Sequence, residues 1–112
     1  MKNRIITLHY FTSRYKKLNK KYTSLTNEFK ALYDSLLLDA KQGESIGSGL
    51  YKIRLAVASK GAGKSGGLRI ITYLVKETKT GIDIYLITIY DKSDIENIDK
   101  SILLQLIKDL PS

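Results

Sequence analysis

The sequence predicts an α+β domain: a small antiparallel β-sheet with a helical hairpin toward the N-terminus and a helix at the C-terminus. Three observations predict it. Residues 50–58, 68–77 and 83–90 are apolar and rich in β-branched and aromatic residues, with short connections between them. That is how consecutive antiparallel strands read. Leu25, Phe29, Leu32, Tyr33, Leu36 and Leu37 recur at i, i+4, i+7, i+8, i+11 and i+12, a helical period. Ile102, Leu103, Leu106, Ile107 and Leu110 repeat that period ahead of Pro111.

Taken in order, Arg4 to Phe11 reads as a first strand, with Ile5, Ile6, Leu8, Tyr10 and Phe11 as β-formers and His9 near its end. Thr12 or Ser13 caps a short basic helix through about Lys20, with Tyr15, Leu18 and Tyr22 on one face. Ser24 caps a second helix running to about Ala40, completing the hairpin. Lys41 to Gly49 is a loop by composition. Three strands follow, the last two joined by the turn Thr78-Lys79-Thr80-Gly81. Asp99 caps the final helix, which runs to about Leu110. The expected order is β-α-α-β-β-β-α, in a single domain spanning residues 1–112.

Composition narrows the function classes. Hydrophobic residues make up 43% of the 112, enough to bury a core. Cysteine is absent, which excludes disulfides, cysteine zinc sites and thiol catalysis. No apolar run reaches the roughly 18 residues of a membrane span, and the N-terminal apolar stretch is too short for a secretory signal. The expected location is the cytoplasm.

Charge is the stronger signal. Nineteen Lys and Arg stand against 11 Asp and Glu, for a net charge of +8. Met1 to Asn27 contains basic residues and no acid, and so does Gly49 to Lys76. Such segregation creates a positive face suited to a polyanion. Arg14, Lys16, Lys17, Lys20 and Lys21 concentrate on the first helix.

The chemistry-bearing stretch is Lys60-Gly61-Ala62-Gly63-Lys64-Ser65-Gly66-Gly67-Leu68-Arg69, a glycine-rich basic loop between two strands. Glycine lets backbone approach a ligand closely, and the flanking cations favour a phosphate. Ala58 to Ser65 also fits a relaxed nucleotide-binding phosphate-loop pattern, with Asp91 ending an apolar strand. Such a loop must open a helix, whereas Leu68 to Val75 reads as a strand. Arg54, Lys60, Lys64, Arg69 and Lys92 can instead meet at one end of the sheet. There they would stabilise the charge that develops on a phosphate during RNA cleavage. His9 is the sole histidine, so a histidine pair is excluded as the acid and base. Of the eight tyrosines, Tyr90 lies beside Asp91 and Lys92 and is a candidate for base stacking, proton transfer or strand-end packing.

Gly47-Ser48-Gly49-Leu50-Tyr51-Lys52-Ile53-Arg54, then Gly63-Lys64-Ser65-Gly66-Gly67-Leu68-Arg69, then Tyr90-Asp91-Lys92-Ser93 resembles the HigB-like branch of the RelE/ParE toxin superfamily, across about residues 46–110. The resemblance implies a RelE-like fold and the toxin of a type II toxin–antitoxin system. Such a toxin is a metal-independent, ribosome-dependent endoribonuclease that cleaves mRNA in the A site. The 2′-hydroxyl attacks the neighbouring phosphate, leaving a cyclic phosphate and a free 5′-hydroxyl. On this resemblance Arg69, Lys64, Tyr90 and Lys92 are catalytic. Arg54, Lys52 and Lys60 bind RNA. The first helix lies outside the stretch that carries the resemblance, and it is its charge that marks Arg14, Lys16, Lys17, Lys20 and Lys21 as the expected RNA-binding, ribosome-docking tract. No cofactor is implied. The implied partners are the ribosome, mRNA and a cognate antitoxin, often one with a helix-turn-helix domain. Some relatives act on DNA gyrase, so a non-catalytic binding toxin on the same scaffold is the alternative class, with a nucleotide hydrolase as a remote one.

Overall fold

The computed structural model describes residues 3–61, 67–77, 81–94 and 98–110. Its elements are β1 (Arg4–Thr7), α1 (His9–Lys21), α2 (Leu25–Leu38), β2 (Glu44–Gly47), β3 (Leu50–Leu55), β4 (Leu68–Glu77), β5 (Gly81–Asp91) and α3 (Lys100–Lys108). The five strands form one sheet in the order β1-β5-β4-β3-β2. None of the helices described is long and apolar enough to cross a membrane.

The α+β class holds, with two corrections. The sheet is mixed: β2 to β5 pair antiparallel, but β1 runs parallel to β5, with Arg4 opposite Asp83. The expected order also lacked β2, so the observed order is β-α-α-β-β-β-β-α. The first strand stops at Thr7 rather than Phe11 because Leu8 turns the chain. The Leu8 amide still donates to Leu86 O at 3.2 Å, while its carbonyl accepts from the Thr12 amide at 3.0 Å and opens α1. Thr12 and Ser13 therefore lie inside the helix, and His9, Tyr10 and Phe11 are helical. A bidentate pair fastens β1: Arg4 Nε donates to Asp83 Oδ1 at 2.9 Å and Nη2 to Oδ2 at 2.8 Å.

Two cores sit on opposite faces of the sheet. On one face α1 and α2 pack Phe11, Tyr22, Leu25, Leu32 and Leu36 against Ile53, Leu68, Ile70, Ile84, Leu86 and Ile89. A run of ring contacts, Phe11–Tyr15, Tyr15–Phe29 and Phe29–Tyr33, joins the two helices. On the other face Leu103 of α3 joins Leu50, Ile71, Ile87 and Tyr90, with Ile98, Leu106 and Ile107 beside them. Asp99 caps α3 as expected, its Oδ1 accepting from the Ser101 amide at 2.9 Å. The turn expected at Thr78 to Thr80 lies outside the described residues.

Candidate functional site

Three of the sequence-predicted residues fall in one row across the sheet. Arg54 of β3 pairs with Arg69 of β4, and Arg69 pairs with Tyr90 of β5. Residues directly opposite in antiparallel strands share a face, and Tyr90 fixes it as the face that α3 covers. Only the outer end of the row is open to solvent. Arg54 is exposed, while Arg69 and Tyr90 retain only 3% and 5% of their surface. Arg69 Nη1 donates to the Leu68 carbonyl at 3.3 Å.

Burial raises the Tyr90 phenol above its ordinary value of 10.0; the Arg69 charge and a hydrogen bond with the Ile98 backbone only partly offset that. Tyr90 therefore holds its proton at neutral pH and can give one rather than take one.

Lys92 sits in the turn just beyond β5, exposed, its amide donating to the Gly67 carbonyl at 3.4 Å. Gly67 and Lys92 thus bring the two strand ends of the row together. Lys52 is half-buried, two residues before Arg54. Lys52 and Arg54 also line an open groove of about 790 Å³ between α2 and β3, which includes Glu28 and Glu44. Lys64 lies outside the described residues.

Lys60 is not the free loop cation that the sequence suggested. Its Nζ lies 3.3 Å from Asp91 Oδ1 and 3.4 Å from Ser93 Oγ, and its side chain is only 12% exposed. Asp91 is the centre of this cluster. Its Oδ1 accepts from the Ser93 amide at 2.9 Å and from Ser93 Oγ at 2.7 Å, while Oδ2 accepts from the Tyr22 hydroxyl. Burial alone would raise the Asp91 carboxyl; the hydrogen bonds from Tyr22, Ser93 and Lys60 outweigh it and hold the group down to about 2. Asp91 is thus a carboxylate at neutral pH, and it ties the end of α1, the segment after β3 and the turn after β5 into one point.

The segment after β3 is held a second time. Glu28 Oε2 accepts from the Ala58 amide at 2.7 Å, and Ser24 Oγ accepts from the Ser59 amide at 2.9 Å. Ser24 opens α2 as expected, yet it spends its hydroxyl on Ser59 and Glu28 rather than on the helix amides. Tyr22, Ser24, Glu28 and Ser93 were missed as site residues because their partners are 30 or more residues away or, for Ser93, because Asp91 looked like a strand terminus only. The signal available was Asp91 itself, an acid closing an apolar strand beside a lysine-rich loop.

The nucleotide-binding pattern loses its structural context. Leu68 to Glu77 is strand β4, antiparallel to β3, so no helix N-terminus follows the loop to receive a phosphate.

The basic tract of α1 divides. Arg14, Lys17 and Lys21 face the end of β5 and line a cleft with Tyr90 and Asp91, whereas Lys16 and Lys20 are exposed outside it. Among the described residues no group of three or more His, Cys, Asp or Glu is placed to hold a metal ion. No family model matches this chain.

Proposed function

We propose that this chain is the toxin of a type II toxin–antitoxin system, of the HigB-like branch of the RelE/ParE superfamily, and that it cleaves mRNA in the ribosomal A site. The observation that carries the reading is the register Arg54–Arg69–Tyr90 across three adjacent strands, beside the ends of a glycine-rich basic loop. A cation next to a protonated phenol is what cleavage by a 2′-hydroxyl needs on its leaving-group side. Arg69 would neutralise charge on the scissile phosphate. Tyr90, holding its proton, would donate it to the departing 5′-oxygen. As the 2′-oxygen attacks, the proton of the 2′-hydroxyl has to pass to a base, a role that Lys64 or Lys92 would fill only as a free amine, since an ammonium accepts no proton. Arg54, exposed at the outer end of the row, would hold a neighbouring phosphate. The antitoxin is the expected protein partner.

One observation favours a second reading, a toxin that binds without cleaving: Arg69 and Tyr90 are both buried. The cleavage reading requires α3 or its leading segment to shift when substrate arrives. The test is induced expression with mapping of cellular mRNA 5′ ends. New ends inside translated codons, bearing 5′-hydroxyls, support cleavage. Growth arrest with intact mRNA and inhibited supercoiling supports the second reading.

A further inference from the structure

We infer that α3 is a lid closed over the Arg69–Tyr90 end of the row, so that the resting chain keeps its own site shut, and that Thr88 belongs to the floor the lid covers. The inference rests on the ribonuclease reading, for which this row is the site, and it names the device that regulates it.

The sheet face beneath α3 is more polar than a permanent packing surface. Arg69 and Tyr90 lie there buried, opposite one another on β4 and β5. Thr88 shares the face, since it stands opposite Ile71 and two residues before Tyr90. It is fully buried, and its Oγ1 has no hydrogen-bond partner among the described residues. A buried hydroxyl left unbonded costs free energy that an apolar side chain of the same shape does not. The backbone is irregular at the same point. β5 carries an extra residue, Ile87, between the pairs Thr72–Leu86 and Ile71–Thr88. Bulges of this kind re-aim side chains beside functional sites.

The helix over these groups is lightly held. Leu103 is its one buried residue, while Ile102 and Leu104 are exposed. By comparison, α2 buries Leu25, Leu32 and Leu36. With nine residues, α3 falls below the roughly 12–15 that an isolated helix needs in water. An element with few buried apolar contacts opens at a lower free energy than the fold around it. Polar contacts close α3 at its N-terminal end. Lys100 Nζ donates to the Ile46 carbonyl at 2.9 Å, fastening the helix to β2. The Ile98 backbone, just ahead of the Asp99 cap, hydrogen-bonds the Tyr90 hydroxyl. While that bond stands, the lid itself engages the phenol oxygen. Opening therefore uncovers Arg69 and Thr88 and releases Tyr90 in one movement. Thr88 then offers the RNA backbone a hydroxyl beside the phenol.

The chain contains no cysteine, so a single introduced thiol reports exposure. Ile87→Cys places one under α3, and Ile84→Cys places one in the core under α1 and α2; both positions are fully buried. Labelling with an aromatic disulfide reagent is followed in the full chain without RNA. A urea melt of each variant gives the labelling rate that global unfolding alone would produce. The Ile84→Cys thiol is expected to label at that rate, and the Ile87→Cys thiol about 100-fold faster or more, through local opening. Labelling of the Ile87→Cys thiol at the global rate would overturn the lid. Adding Lys100→Ala is expected to speed Ile87→Cys labelling several-fold, and an unchanged rate would overturn the tether. Hydrogen exchange checks the unaltered chain: α3 amides are expected to exchange well ahead of those at Ile84 and Leu86, and exchange in step would again overturn the lid. Thr88→Val gives the closed lid an apolar floor, so the melting temperature is expected to rise. A fall or no change would show the hydroxyl satisfied under α3 and remove Thr88 from the floor. Mapping of mRNA ends judges the ribonuclease reading separately. A chain that opens locally but never cleaves keeps the lid and loses that reading. A chain that cleaves while the Ile87→Cys thiol labels only on global unfolding does the reverse.

Discussion

Arg69 is the side chain on which the proposed cleavage depends most directly, because its charge lies next to Tyr90 and both are withdrawn from water. Truncating a buried arginine to alanine would also open a cavity, so Arg69→Gln is the cleaner change: it keeps a long polar side chain and removes the charge. Cleavage is expected to fall roughly 10²–10³-fold with an unchanged circular dichroism spectrum, the usual cost of losing one electrostatic contact in a transition state. Undiminished cleavage by the folded variant would remove Arg69 from the chemistry. Tyr90→Phe separates proton transfer from contact. Phe keeps the ring and its packing against Leu103, so a Phe variant that cleaves as wild type does would reduce Tyr90 to a packing residue under α3. Asp91 is tested by pH. Its folded carboxyl titrates near 2, below its ordinary 3.8. A lowered folded value adds stability that is fully present above about pH 4 and is lost as pH falls toward 2, an effect of about 2 kcal/mol. Asp91→Asn is expected to be less stable by about that much at neutral pH. The gap to wild type should close between pH 4 and pH 2 in urea melts, whereas a gap constant across that range would show that size and shape, not charge, hold the network.

Single elements depend on backbone geometry that side-chain periodicity does not report. Gly43 precedes β2 with φ +86°, and a Cβ there would lie 2.3 Å from the Lys52 carbonyl oxygen. Gly61, at φ +76°, has nothing within 4 Å of its missing Cβ. Both Gly→Ala variants meet the left-handed penalty of about 1–2 kcal/mol, but only Gly43→Ala adds a clash with backbone. Thermal melts should rank Gly43→Ala clearly below Gly61→Ala, and equal losses would mean that the β2–β3 contact gives way freely. The same geometry explains which elements could be read in advance. The α2 stripe, the three long strands and the Asp99 cap were legible because each is a local pattern. β2 was not: Glu44-Ser45-Ile46-Gly47 has no alternation, and its existence depends on glycine bends and on pairing with β3. The end of β1 was not, because apolar residues continue through Phe11 while the chain changes from sheet to helix. Within the site, the meeting of Arg54 and Arg69 on adjacent strands was legible from strand order, whereas Tyr90, and not the expected Lys92, is the residue that stands opposite Arg69. The capture of Lys60 by Asp91 depends on a contact between residues far apart in the chain, and no spacing rule announces it.

At the scale of the whole molecule, the net charge of +8 is arranged rather than spread. The outer lysines of α1 stand clear of the sheet-end cleft, and on the proposed function they meet the ribosome. Reversing Lys16 and Lys20 to Glu is expected to weaken ribosome co-sedimentation most at low salt, since each phosphate neutralised releases counterions. Exposed changes of this kind shift stability by no more than about 0.5 kcal/mol, so a thermal melt separates lost docking from lost folding. Sedimentation equal to wild type at both low and high salt would assign these charges to another purpose.

The parallel pairing of β1 with β5 has a consequence for the order in which the molecule comes into being. Arg4 closes on Asp83 across 79 residues, and Tyr22 closes on Asp91 across 69. Loops of that length must be drawn together before any of these contacts repays their entropy. During synthesis, at about 5–20 residues per second, the first strand and first helix wait as unfinished pieces until β5 has emerged. Tyr90, the last member of the row, arrives with that same strand. On the proposed function, the ribosome that makes this chain holds a harmless polypeptide until β5 has emerged and the row can close.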